Sequence, residues 1–222
     1  MNKLPRIFCL TLKETPARKL YAEKHFKERD LDVTFYEGIH AKNFGLRTVF
    51  PYMDDQPNWK PDDGAPYFIT QGHVGCILSH YMLWKTLSYM PDDEFLILED
   101  DVVLTENFKE KLLDYKSRLP SDWQYVFVGN CCCPGEEHRQ KHAENIYTTS
   151  HPPMCTHAYM IKKESINVLI ETNSVAWSHI DIQIQKRTLM TNKLKYYVML
   201  PVLAEQISIN WPTDNNFKSL TS

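Results

Sequence analysis

The run Phe95-Leu96-Ile97-Leu98-Glu99-Asp100-Asp101 places three acids directly behind four apolar residues. Such an apolar run reads as a strand buried on both faces, and open α/β sheets bind their ligands at the carboxyl ends of strands. Side chains alternate along an extended chain, so Glu99 and Asp101 are expected on one face and Asp100 on the other. Two carboxylates converging on one point repel each other unless a cation lies between them. Mn2+ or Mg2+ takes this oxygen chemistry and leaves positions for phosphate oxygens. The plainer alternative is that the acids only form a turn or cap the next element.

The rest of the composition bears on how a phosphate would be held. The glycines stand at 38, 45, 64, 72, 75, 129 and 135. No two are separated by a single residue, so G-x-G-x-x-G cannot be written, and none opens a P-loop. The net charge of -3, from 25 basic and 28 acidic residues, gives nucleic acid or an anionic membrane no bulk attraction. A diphosphate would therefore be neutralised by a metal rather than by a glycine cradle or a lysine patch. Metal-assisted handling of a nucleotide diphosphate is the chemistry that remains.

The elements that must position these acids follow from periodicity. Residues 7–12 read as a buried strand. Thr15 and Pro16 then form a helix start that runs to about Arg29, and residues 33–36 form a strand ending in Glu37-Gly38. A strand-helix-strand unit builds parallel sheets. Val74, Ile77, Leu78, Tyr81, Trp84 and Leu87 recur at helical spacing. Helices are also expected over 107–119, 163–172 and 178–189, and strands over 95–98, 125–128, 157–161 and 195–199. At 222 residues the chain suits one large domain, 1–222. It is expected to be α/β and Rossmann-like, with a mostly parallel sheet flanked by helices. Residues 41–70 form a long irregular loop whose Phe50, Tyr52, Trp59, Tyr67 and Phe68 either offer flat faces to a ligand or pack the loop down, and 212–222 form a polar tail.

No apolar run approaches the roughly eighteen residues of a membrane span. The first residues, Met1 to Arg6, lack a signal-peptide core. Six cysteines, three of them adjacent at 131–133, contain no C-x-x-C pair and read as thiols in a reducing compartment. These observations predict a cytoplasmic chain.

Gly72-His73-Val74-Gly75-Cys76-Ile77-Leu78-Ser79-His80, followed by Leu98-Glu99-Asp100-Asp101-Val102, resembles glycosyltransferase family 25. That family groups bacterial lipooligosaccharide sugar transferases with procollagen galactosyltransferases. Arg18, Gly38-Ile39, Thr156-His157-Ala158-Tyr159, Asp181, Pro201 and Gln206 continue the likeness in order along the chain. The resemblance implies a GT-A-type fold and transfer of a hexose, galactose or glucose, from a UDP-sugar with inversion. The acids would then serve as its DxD-like motif. One departure is His73, where the family pattern Gly-Glu-x-Gly-Cys has Glu.

On this reading Glu99 and Asp101 hold the metal and Gln206 completes its shell. Arg18 reaches the diphosphate, since a planar guanidinium suits phosphate oxygens. Leu10, Thr11 and Leu12 offer backbone groups to the base of the nucleotide, and Gly38, Ile39, Ser79 and Asp100 line the donor site. The acceptor, a glycan or a protein hydroxyl such as collagen-like hydroxylysine, needs a base. Asp181 is the first candidate, with His157 beside the acceptor. Ser178-x-x-Asp181 equally fits a capping box that merely closes a helix start. A buried, hydrogen-bonded role is the commoner outcome for His80 in the middle of a helix.

Two other chemistries compete. Cys131-Cys132-Cys133 with His138 and His142 is zinc-friendly, and the histidines are spaced to share a helical face, but H-E-x-x-H is not met. A sugar-nucleotide nucleotidyltransferase would carry a Gly- and basic-rich loop after the first strand, and the stretch from Thr11 to Thr15 is glycine-free. An inactive nucleotide- or carbohydrate-binding domain is the third reading.

Overall fold

A computed structural model describes residues 3–41, 71–176 and 178–207. The aromatics of the 41–70 loop and the 212–222 tail lie outside these residues. The chain opens with β1 (Arg6–Thr11), α1 (Pro16–Lys27) and β2 (Val33–Glu37). From residue 71 come α2 (Gln71–Ser88), β3 (Glu94–Glu99), β4 (Val102–Leu104), α3 (Phe108–Ser117) and β5 (Tyr125–Phe127). The second half supplies β6 (Arg139–Ala143), β7 (Ile146–Thr149), β8 (Ala158–Lys162) and α4 (Ile166–Thr172). It closes with α5 (Ile180–Gln183), β9 (Tyr196–Met199) and β10 (Ala204–Gln206).

Eight strands form one sheet in the order β2-β1-β3-β8-β5-β9-β7-β6. The expected α/β class holds. Register gives the strand directions: β1 is parallel to β2 and β3, and β5 is parallel to β9, while β8 runs against both β3 and β5. Most strands therefore point one way, with β7 and β8 reversed.

Alternation along the strands separates two cores. Ile7, Cys9, Leu96 and Leu98 pack on one face with Ala22 and Phe26 of α1 and Phe108 and Leu112 of α3. Phe8, Leu10, Phe95 and Ile97 pack on the other with Leu83, Trp84 and Leu87 of α2 and Ile166 and Leu169 of α4. Helices on both faces are why β1 and β3 read as unbroken apolar runs.

The reversal of β8 matters for function. Its first residues lie where β3 and β5 end, so Thr156 and His157 arrive at the carboxyl edge beside Glu99, whose N–H donates to the His157 carbonyl at 2.9 Å. A second, two-stranded sheet pairs β10 with β4 and sets Gln206 opposite Val102, one residue beyond the acids.

Several expectations are corrected. Residues 139–149 fold into the β6–β7 hairpin, with His138 in a short 3-10 turn before it and His142 on β6 against the Tyr197 ring, so the two histidines do not share a helical face. Cys131 and Cys155 form a disulfide, aided by an isolated bridge between Cys131 and Met154. That pairing takes Cys131 out of any zinc cluster. It also removes the cysteine argument for a reducing compartment, because disulfides persist in oxidising ones. The helix expected over 178–189 is one α turn, α5, that widens into a π-helix over Ile184–Leu189. Among the described residues no helix is long and apolar enough to cross a membrane.

Candidate active site

The acids stand where β3 runs out. Glu99 is the last strand residue, and Asp100 and Asp101 form the turn into β4. Because that turn abandons the extended chain, its period of two no longer applies. All three acids line one cleft of about 180 Å³, rather than Asp100 facing away.

Across the cleft, α1 supplies the buried Arg18. Its Nη2 lies 2.5 Å from Asp100 Oδ1 and 2.8 Å from Asp101 Oδ2. Arg18 is therefore a buried, paired cation and not a solvated helix charge. Arg18 Nε and Asp101 Oδ1 are buried without hydrogen-bond partners, so this pair keeps polar capacity that a ligand could meet.

Burial pushes the Asp100 carboxyl up to about 6, with Asp101 adding to the rise and Arg18 opposing it. Burial likewise raises Asp101, against the pull of Arg18 and with a further push from Glu99. Burial also acts upward on Glu99, yet hydrogen bonds from His80 and Thr156 hold it below the usual carboxylate range. Two of these carboxylates hold the Arg18 guanidinium, and Glu99 lines the same cleft. Hard carboxylate oxygens in excess over one guanidinium fit a divalent cation such as Mn2+ or Mg2+, while the ligand atoms that lie within 4.8 Å of one another among the described residues are those of Cys76, His80 and Glu99.

The rest of the cleft is a set of strand and helix ends. Leu10, Thr11 and Leu12 form one wall and Gly38 and Ile39 another. The second wall is stapled to α2 by Ser79, whose hydroxyl donates to the Gly75 carbonyl at 2.7 Å and accepts from the Ile39 N–H at 2.8 Å. The Ser79 hydroxyl is thereby committed to structure. Gly75 permits the close approach, since a Cβ there would sit 2.6 Å from the Ile39 carbonyl oxygen. Gln206 reaches in from β10, its Nε2 donating to Asp101 Oδ2 at 3.1 Å.

A second cleft, of about 200 Å³, adjoins the first. It is lined by His73, His179 and Asp181, with the Cys155-Thr156 segment closing one side, and it shares Cys76, Glu99 and Gln206 with its neighbour. Glu99 stands in the wall between the two.

Asp181 is in the first turn of α5, where the N-cap is His179 and no side chain caps the helix. The Ser178 capping box is therefore not formed. Asp181 Oδ1 instead accepts the Ile182 N–H at 2.8 Å, and Oδ2 accepts the Cys155 N–H at 3.1 Å. The carboxylate is aimed by two backbone donors and still faces the cleft. His73, the departure from the family pattern, stacks on His179 with ring centroids 3.8 Å apart.

His157 lies elsewhere. It is 1% exposed, lines neither cleft and sits against the Ala204 carbonyl with Nε2 at 3.2 Å. Its place is to brace β10 from behind. Sequence reasoning missed Thr156, whose hydroxyl donates to Glu99 Oε1 at 2.7 Å, and the backbone N–H of Cys155. The tetrapeptide from Thr156 was the available signal, but its contacts depend on the direction of β8.

The model of a protein family described as glycosyltransferase family 25 (LPS biosynthesis protein) matches residues 4–184. Among curated relatives, a glycosyltransferase 25 family member of Aedes aegypti is 29% identical over 129 residues, 55% of this chain and 21% of that protein. Procollagen galactosyltransferase 2 of Homo sapiens is 27% identical over 128 residues, 55% of this chain and 20% of that protein. The chain spans about a fifth of the length of these relatives. Of solved structures, a glycosyltransferase involved in glycosylating the major capsid of PBCV-1 aligns over 87% of this chain and 81% of that one, at 12% identity and a TM-score of 0.48.

Proposed function

Because the chain belongs to glycosyltransferase family 25, we propose that it transfers a hexose, galactose or glucose, from a UDP-sugar to an acceptor hydroxyl with inversion, with Mn2+ or Mg2+ held by Glu99 and Asp101. The observation that carries this reading is that Arg18, Asp100 and Asp101 meet in the first cleft, with Glu99 in the wall it shares with the second. The first cleft suits the donor and the second the acceptor, so leaving group and nucleophile would meet the anomeric carbon from different sides. The GT-A-type fold is part of the same proposal, supported by the strand order and the acids at the end of β3. β1 and β9 share one sheet, which supports reading 1–222 as a single catalytic domain.

Each residue has a task in that scheme. Leu10 to Leu12, Gly38 and Ile39 flank the nucleotide, and Ser79 keeps the Gly38-Ile39 wall in place. Arg18, which bridges Asp100 and Asp101, would offer its guanidinium to the diphosphate oxygens. Glu99 and Asp101 would hold a divalent ion, with Gln206, which touches Asp101, completing the set, and that ion would supply charge stabilisation for the departing diphosphate. Asp181, held by the Ile182 and Cys155 N–H groups, accepts the proton of the acceptor hydroxyl.

The test uses purified protein with UDP-galactose and UDP-glucose, in the presence of Mn2+, Mg2+ or EDTA. UDP release should depend on metal and be lost in Asp101→Asn. Equal release by that variant, or release indifferent to EDTA, would overturn the metal assignment. An acceptor array then separates free glycans from hydroxylysine peptides.

A further inference from the structure

Trp84, Tyr159 and His80 are each fully buried beneath the acids, on the α2 side of the sheet. The Trp84 indole can only donate, and its Nε1–H meets the Tyr159 oxygen at 2.9 Å. Tyr159 thus accepts from Trp84 and must place its own proton elsewhere. The partner in reach is His80 Nδ1, also at 2.9 Å. A ring nitrogen that accepts carries no proton, so in His80 the proton belongs to Nε2, which faces Glu99 Oε1 at 3.1 Å. Thr156 donates to that same oxygen at 2.7 Å. Both donors therefore act on Oε1, and Oε2 is the oxygen the carboxylate has to offer.

We propose that His80 is the positioning residue of this site: the chain Trp84 to Tyr159 to His80 fixes the imidazole as its Nε2–H tautomer, and this tautomer, with Thr156, holds Glu99 so that Oε2 faces the cation and diphosphate. The inference rests on the glycosyltransferase reading only for what Oε2 meets; the tautomer and the orientation stand on hydrogen-bond directions alone. The competing arrangement is a cation held by Cys76, His80 and Glu99, whose ligand atoms lie within 4.8 Å of one another. That site needs a lone pair on His80 Nε2, and the Tyr159 hydroxyl directs a proton there instead. An imidazole backed in this way acts on a ligand rather than as one, and loss of such partners weakens metal binding by about 10- to 100-fold.

Two measurements test the proposal. The first is long-range proton–nitrogen NMR of the metal-free protein, with the His80 resonance assigned by its loss in His80→Gln. Nε2 protonated and Nδ1 bare is the expected result. A proton on Nδ1, or displacement of the Nε2 proton by added Zn2+, overturns the assignment whether or not the protein transfers sugar. The second is Mn2+ affinity by electron paramagnetic resonance, with melting temperature recorded alongside. His80→Leu should bind Mn2+ about tenfold or more weakly. His80→Gln, whose amide can still donate to Glu99, should recover most of that loss, and Tyr159→Phe should fall between them. A merely structural histidine would lower the melting temperature and leave the affinity of the folded protein unchanged, which would sink the proposal. If His80→Leu does not fold, Tyr159→Phe and the tautomer decide the matter. Wild-type protein that binds no Mn2+ would defeat the metal reading and leave the tautomer standing.

Discussion

The two clefts share a wall but are built by different physics. The cleft proposed for the donor is a meeting of regular element ends: β1, the turn after β3, the end of β2 and one arginine from α1, set against three carboxylates. The cleft proposed for the acceptor is made of irregular chain, the Cys155-Thr156 approach to β8 and the start of a four-residue helix, and it is tied by backbone N–H groups and a disulfide. Electrostatic stress is concentrated on the donor side and conformational constraint on the acceptor side. Changes to charge should therefore act on nucleotide and metal, and changes to chain connectivity on the acceptor.

The largest expected effect breaks the acceptor side alone. Asp181→Asn keeps an oxygen for the Ile182 or Cys155 N–H but loses the base, and should slow transfer by roughly 10²- to 10⁴-fold. UDP binding by calorimetry should stay within a few-fold of wild type. A parallel loss of UDP affinity would mean that the two clefts are one site. Next in size is the disulfide. It closes a loop with a sequence separation of 24, for which the chain-entropy relation gives about 3.5 kcal/mol of stability. Cys131→Ser should show that loss in denaturant melts. Its activity defect should appear as a raised acceptor KM, with donor KM unchanged.

The same contrast explains what the sequence made legible. The alternation of Ile7, Cys9, Leu96 and Leu98 against Phe8, Leu10, Phe95 and Ile97 is visible without coordinates, and so were the acids that follow. Every residue named from the sequence for the donor or metal lines the first cleft, most of them at the ends of the parallel neighbours β1, β2 and β3, with Arg18 and Ser79 brought in by helices. The acceptor side was harder. Periodicity is blind to strand direction, so nothing in Thr156 to Tyr159 told that β8 runs backward and delivers Thr156 to Glu99. His157, expected beside the acceptor, lines neither cleft and sits against the Ala204 carbonyl. The three residues of β10 are too few for any pattern, and the pairing of Cys131 with Cys155 depends on a hairpin whose polar sequence resembles a loop.

On the donor side, Arg18→Met probes the balance of charge directly. It removes two contacts to buried carboxylates and a donor for the diphosphate, and hydrogen bonds to charged groups are worth about 1.5 to 3 kcal/mol. Donor KM should rise roughly 10- to 100-fold, and acceptor KM should hold. Added Mn2+ should stabilise the variant more than it stabilises wild type, since the carboxylates have lost their internal counter-ion. Identical metal stabilisation in both proteins would show that Arg18 does not stand in for a cation.

The smallest effect is a pH dependence that belongs to the donor side. Burial lifts Asp100 from 3.8 to about 6, so between those values the folded chain holds a proton that the unfolded chain has released. The folded state binding more protons means that stability falls as pH rises across this window and levels off above it. A cation reverses the preference, because it binds the deprotonated cluster and must expel that proton. Mn2+ affinity should thus climb with pH below about 6, by at most tenfold per unit for one proton, and flatten above. The thermal stability of the metal-free protein should move the opposite way over the same range. In Asp100→Asn both slopes should shrink together, because each draws on the same proton. If the metal slope survives that substitution, the proton is held elsewhere, with Asp101 the next to test, since burial raises it as well.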